Sequence, residues 1–174
     1  MNRINEIGRI TRPNFFILGA AKCGSTSLYE YMNQHPDIGF SINKETHFFC
    51  NDDLFYKGFD SYIDTFFSSS ANKKAVGEAT PHYIYYEKVA FRMAAIFPTQ
   101  CLRFILILRD PVQRAYSLYW NMVYEGYEKV SFRKALDLED ERIKDIHHNK
   151  IGTIRYQYKD SGLYAKQIGK FQQA

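Results

Sequence analysis

Short apolar runs alternate with amphipathic stretches along this chain, a pattern that predicts an α/β domain with a parallel central sheet. The first run, NFFILG (Asn14–Gly19), predicts a buried strand. STSLYEYMNQHP follows and predicts a helix stopped by Pro36, with Leu28, Tyr31 and Met32 on one face. DIGFS (Asp37–Ser41) predicts a short second strand and AVGE (Ala75–Glu78) a third, while CLRFILILRD (Cys101–Asp110) carries the clearest strand pattern. Between them, YYEKVAFRMAAIFP predicts a helix ended by Pro98. PVQRAYSLYWNMVYEG predicts another, with Asp110 as N-cap and Pro111 at its first position. The polar and aromatic stretch NDDLFYKGFDSYIDTFFSSSANKK predicts a loop with a short helix. SFRKALDLEDERIKDIHHNK predicts a surface helix capped by Ser131, with its charges and with His147 and His148 in water. SGLYAKQIGKFQQA starts a final amphipathic helix.

The 174 residues suffice for one domain with a hydrophobic core, and 45% hydrophobic with 24% charged residues is ordinary for a globular chain. The net charge of +4 is too small to argue for nucleic acid and is compatible with a small anionic ligand. Cys23, Cys50 and Cys101 are widely spaced with no CxxC pair, which argues against a zinc site and a disulfide framework and for a reducing compartment. The polar, basic N-terminal stretch contains no apolar run of membrane-spanning length, so a cytoplasmic protein is expected.

The chemistry concentrates in two places. In FFILGAAKCGSTS a glycine-rich turn joins a strand to a helix, a geometry that offers phosphate consecutive N–H groups and the positive end of a helix dipole. Ser25, Thr26 and Ser27 add hydroxyls there, and Lys22 adds a charge at the mouth. The nucleoside-triphosphate spacing GxxxxGK[ST] is not met, because the lysine stands two positions before Gly24. ILILRD also interposes Arg109 before the aspartate that a magnesium site would want, so a kinase or NTPase loses on both counts. A plain small-residue turn remains the alternative. In LILRDPVQRAYSLYW, Arg109 offers a planar donor fork at a strand end, and Ser117 lies two helical turns beyond Asp110. Alone that pair reads as a helix cap; with the first loop it reads as a second phosphate subsite.

These two segments resemble the 5′-phosphosulfate loop and the 3′-phosphate motif of the sulfotransferases that use PAPS (3′-phosphoadenosine 5′-phosphosulfate). NKETHFF, GEATPHYIYY and GLYAKQIGKF resemble further elements of their carbohydrate and heparan sulfate branch, which has many bacterial members, in the family's order from about Asn14 to Phe171. The resemblance implies a P-loop-like three-layer α/β domain, helices on both faces of the sheet, with residues 1–174 forming the N-terminal two-thirds of the usual domain. It implies PAPS bound by Lys22, Cys23, Gly24, Ser25, Thr26, Ser27, Arg109 and Ser117, with adenosine 3′,5′-bisphosphate as product and no metal required. Lys22 would neutralise the leaving 5′-phosphate, Lys44 would line the same site, and Glu78 would be the base that activates a carbohydrate hydroxyl or amine. His47 and His82 are rival bases, Glu78 could instead form an ion pair with Lys44 or Lys22, and Tyr164 could stack on a ligand or pack in the core. Because family chains continue beyond the last helix, the alternative expectation is a nucleotide-binding fragment without catalysis.

Overall fold

The computed structural model describes residues 12–70, 72–97, 102–145 and 151–173; Pro98, Cys101, His147 and His148 lie outside them. Four parallel strands, β1 (Phe15–Gly19), β2 (Ile38–Phe40), β3 (Ala75–Ala79) and β4 (Arg103–Leu106), stand in the order β2-β3-β1-β4. β1 is wholly buried because it pairs on both edges, Phe16 lying opposite Glu78 on one side and Phe104 on the other. Its successive side chains feed the two faces of the sheet. Phe15 and Ile17 pack with Phe40 and with Leu28, Tyr29 and Met32 of helix α1 (Ser25–Asn33). Tyr31, expected on that buried face, is 73% exposed; its neighbour Tyr29 takes the place, edge-on to Phe40 at 4.6 Å.

Phe16 and Leu18 point into the larger core on the opposite face. The stretch expected as a loop with one short helix folds as two helices, α2 (Asp52–Phe55) and α3 (Phe59–Phe66), because its aromatics have a core to fill. Phe48 stacks on Tyr62 at 4.2 Å, and Phe49 meets Phe16 edge-on at 5.7 Å. Helices α4 (Glu87–Ile96) and α8 (Tyr164–Gln173) close this side, with Phe171 against Phe104 at 5.6 Å. Each fully buried ring of this kind contributes about 1.5–3 kcal/mol, so the layer amounts to much of the fold's driving force. Gly77 is fixed by packing: a Cβ there would lie 2.3 Å from the Phe15 ring.

The segment with the clearest strand pattern supplies only a short edge strand, Arg103–Leu106, with Arg103 and Phe104 exposed. Leu102, Phe104 and Leu106 meet the α4 and α8 side and Ile105 the α1 side, so the apolar residues reflect contacts on both faces rather than a central position. Beyond it, helix α5 (Pro111–Tyr124) starts as expected, the Asp110 carboxylate accepting from the Gln113 N–H at 2.9 Å. The surface helix expected after Ser131 divides into α6 (Phe132–Asp137) and α7 (Glu139–Asp145). The division lets the buried Glu139 carboxylate accept the backbone N–H groups of Lys159 and Asp160 at 2.7 and 2.8 Å.

A second core forms where α5 and α6 meet Tyr158. Inside it Glu128 accepts from both terminal nitrogens of Arg142, from the Tyr158 hydroxyl and from the N–H groups of Lys129 and Val130. Burial alone would raise this carboxyl, but those hydrogen bonds prevail and hold it at about 2 against an ordinary 4.5. A depressed carboxyl stabilises the fold above its unfolded value and loses that contribution as pH falls through the folded one. Glu128→Gln is therefore expected to cost roughly 2–3 kcal/mol at neutral pH. Urea titrations of both proteins at successive pH values should show the deficit shrinking as pH drops from about 5 towards about 2; a deficit independent of pH would assign the loss to packing instead.

Candidate active site

Open parallel sheets bind ligands at the carboxyl ends of their strands, and here the loops after β1 and β4 are tied together there. Ala20 N–H donates to the Ile107 carbonyl and Ile107 N–H to the Gly19 carbonyl, both at 2.9 Å, so the pairing outlasts the strands. Ala21 N–H donates to the Tyr85 hydroxyl at 3.2 Å. Gly24 has a φ of +99° and no atom within 4 Å of a Cβ position, so backbone conformation rather than space demands glycine. It leads directly into α1, whose first turn carries no side-chain cap. The N–H groups of Ser25, Thr26 and Ser27 thus have no intrahelical acceptor and face outward with the positive end of the dipole.

Two lysines converge on this turn. Lys22 donates to the Asn121 side-chain oxygen on α5. Lys44, just beyond β2, donates to the Thr26 hydroxyl at 2.9 Å and to Glu45 Oε1 at 3.0 Å. A cavity of about 590 Å³ opens between them, lined by Lys22, Gly24, Ser25, Thr26, Lys44 and Ser117. Glu45, His47, His82 and Asn121 line it too. Burial pulls His82 well below the ordinary histidine range, to about 4, against the opposing pull of the Glu45 carboxylate, so its imidazole is neutral at pH 7.

The remaining expected residues lie beside the cavity rather than in its wall. Ser27 is exposed on α1. Arg109 is exposed, its Nε donating to Gln113 Oε1 at 3.3 Å. Half-buried Cys23 has its sulfur 3.6 Å from the Tyr164 hydroxyl, and that hydroxyl donates to the Arg109 carbonyl at 2.9 Å. Tyr164 therefore joins the loop before α1 to the Arg109 loop. Arg114, absent from the sequence expectations, is 0% exposed and donates through Nη2 to the Tyr158 and Gln157 carbonyls, seating the segment that leads to Tyr164 under α5.

Glu78, expected as the base, does not line the cleft. It is 0% exposed, and its oxygens accept from the hydroxyls of Thr46 and Thr80 at Oε1 and Tyr62 at Oε2. Burial raises its pKa, with those hydroxyls opposing. Within the core between β3 and α3 it has no surface from which to meet an acceptor. Two carboxylates line the cleft: Glu125, which accepts from the Asn121 side-chain amide, and Glu45, one position after Lys44 and at the same strand end, so the rule that selects Lys44 also reaches it. Asn121 was likewise legible as the position four residues after Ser117 on one helix face.

No protein-family profile matches the chain. It is 38% identical over 109 residues to the membrane-associated sulfotransferase kil1 of Dictyostelium discoideum, an alignment covering 62% of this chain and 22% of that protein. It is 33% identical over 119 residues to the human bifunctional heparan sulfate N-deacetylase/N-sulfotransferase 2, covering 66% of this chain and 13% of that one. Among solved structures, a sulfotransferase from Alicyclobacillus acidocaldarius superposes with a TM-score of 0.80 at 35% identity, covering 94% of this chain and 69% of that one. Among the described residues no helix is long and apolar enough to cross a membrane.

The different settings of the two glutamates predict different defects. Glu78→Gln puts an amide donor among three hydroxyl donors and should lower stability by roughly 1–3 kcal/mol, whereas Glu45→Gln should leave the melting temperature nearly unchanged. Thermal unfolding of both variants checks this; a stable Glu78→Gln protein would contradict the structural role.

Proposed function

The chain belongs to the sulfotransferase family, and on that premise we propose that it transfers a sulfuryl group from PAPS to a hydroxyl or amine of a carbohydrate or glycoconjugate. The observation that carries this reading is the convergence, in one cleft, of the uncapped α1 N-terminus, Lys22, Ser117 and the Glu45 carboxylate. The outward N–H groups of Ser25–Ser27 and the Ser25 and Thr26 hydroxyls suit the 5′-phosphosulfate. Ser117 and the Arg109 guanidinium, whose terminal nitrogens have no partner among the described residues, suit a separate 3′-phosphate.

In this reading Lys22 meets the oxygen that bridges sulfur and the 5′-phosphate. Its partner Asn121 is neutral, so the ammonium charge remains available to the charge that develops on the leaving phosphate. Glu45 takes the acceptor's proton as the acceptor oxygen or nitrogen bonds to sulfur and the bond from sulfur to the bridging oxygen breaks. Lys44, on Glu45 Oε1, orients the carboxylate and ties it through Thr26 to the phosphate loop. A carbohydrate acceptor is supported by the heparan sulfate named for one relative. Exposed Tyr116, Trp120 and Tyr124, one stripe over from Ser117 and Asn121 on α5, also offer ring faces to sugars. The chain spans only 13–22% of the length of the two curated relatives, so the activity of the whole protein is part of the proposal.

Calorimetric titration with adenosine 3′,5′-bisphosphate tests the two-subsite reading. Tight binding is expected, weakened about tenfold or more by Arg109→Ala, with AMP binding poorly to both; equal affinity for AMP would sink it. In a transfer assay, Lys22→Ala is expected to lower turnover about 10²–10³-fold. Glu45→Gln should lower it about 10²-fold or more with bisphosphate affinity unchanged, and normal turnover in that variant would remove Glu45 as the base.

A further inference from the structure

Glu45 shares its end of the cleft with two imidazoles that make no direct hydrogen bond to it. Glu45 Oε2 lies 3.6 Å from His47 Nε2 and 3.8 Å from His82 Nδ1, both beyond hydrogen-bond range. One ligand-capable atom from each of the three residues falls within 4.8 Å of the others. The rings are nearly parallel, at 19°, with centroids 5.8 Å apart. His82 Nδ1 is buried and has no hydrogen-bond partner, an arrangement that is costly unless something else meets its lone pair. Ligands of a tetrahedral Zn²⁺ with bonds of about 2.0–2.1 Å stand about 3.4 Å apart. Glu45 Oε2 therefore needs to close on each histidine nitrogen by only a few tenths of an ångström, and the two histidine nitrogens, within 4.8 Å of one another, by up to about 1.4 Å.

The surroundings fix the lone pairs in the required places. Glu45 Oε1 is held by Lys44, which leaves Oε2 for a single-oxygen ligand bond. His47 Nδ1 lies 3.8 Å from Cys50 Sγ, and the Cys50 thiol donates to the His47 carbonyl at 3.3 Å. With its proton on that carbonyl, the sulfur accepts from His47 Nδ1–H, which leaves the lone pair on Nε2, the nitrogen facing Glu45. A buried sulfur that orients a ligating imidazole is the kind of outer contact that metal sites use. Two imidazoles and one carboxylate favour zinc, cobalt or nickel over magnesium or calcium.

We propose that Glu45, His47 and His82 form a binding site for Zn²⁺ or a similar divalent transition metal, with its fourth position open to the cleft, and that metal bound there blocks sulfuryl transfer by occupying the carboxylate that serves as base. The metal is an inhibitor in this scheme, and transfer itself needs none. The site rests on geometry alone; only the block rests on Glu45 as the base.

The test uses the purified chain stripped with chelator. Titration with Co²⁺, followed by its ligand-field absorption, is expected to saturate at one ion per chain, with Zn²⁺ displacing it. His47→Ala and His82→Ala should each weaken binding about tenfold or more while still binding adenosine 3′,5′-bisphosphate, which shows that they fold. Failure to bind Co²⁺ stoichiometrically, or binding unchanged in both histidine variants, overturns the site. Zn²⁺ should then stop transfer by the unsubstituted protein, with chelator restoring it. Stoichiometric binding with undiminished transfer keeps the site but overturns the block, and with it Glu45 as the base.

Discussion

The arrangement depends on how β1 and β4 part company. Their hydrogen bonding continues past the ends of both strands, through the exchange between Gly19, Ala20 and Ile107. The two chain segments are thereby held side by side as each turns towards its own helix. Without that exchange the loop before α1 and the Arg109 loop would be separate surface turns. With it, the N-terminus of α1 and the Ser117 face of α5 address one cavity, and Lys22 can span them to reach Asn121.

Local chemistry made much of this legible. An unbroken apolar run, a glycine needed for its backbone angle and an aspartate before a proline each act within a few residues, so the order strand, loop, helix and the cap of α5 could be read directly. What depends on the third dimension could not. CLRFILILRD is apolar because helices lean on both faces of an edge strand, and periodicity does not separate that from burial at the centre of a sheet. Glu78 near the end of β3 and Glu45 beyond β2 both stand at the carboxyl ends of strands, yet the hydroxyls of Thr46, Tyr62 and the nearby Thr80 enclose Glu78 and leave Glu45 in the cleft. Arg114 carries no sequence sign that its charge ends up wholly buried beneath Tyr158. The pairing of His47 with His82 comes from two loops that meet only once the sheet has formed.

The interior divides its polar groups by purpose. Glu78, Glu128 and Glu139 each satisfy donors from separate segments, and each is buried. They act as internal fasteners where a small domain with several irregular connections lacks regular secondary structure. The cleft keeps the opposite character: lysines with neutral or shared partners, an uncapped helix and an imidazole nitrogen with nothing to bind. Groups left under-satisfied in the free protein can strengthen their interactions when a ligand arrives.

Tyr164 gives the loop before α1 and the Arg109 loop a common tether, its hydroxyl touching the Cys23 sulfur and the Arg109 carbonyl together. Two loops joined in this way do not order independently. On the proposed function, a ligand with a single phosphate gains contacts from one of the tethered loops, whereas a ligand with phosphates at both ends gains contacts from both. Discrimination between mono- and bisphosphorylated nucleotides would then depend on how firmly one phenol holds the two loops in register.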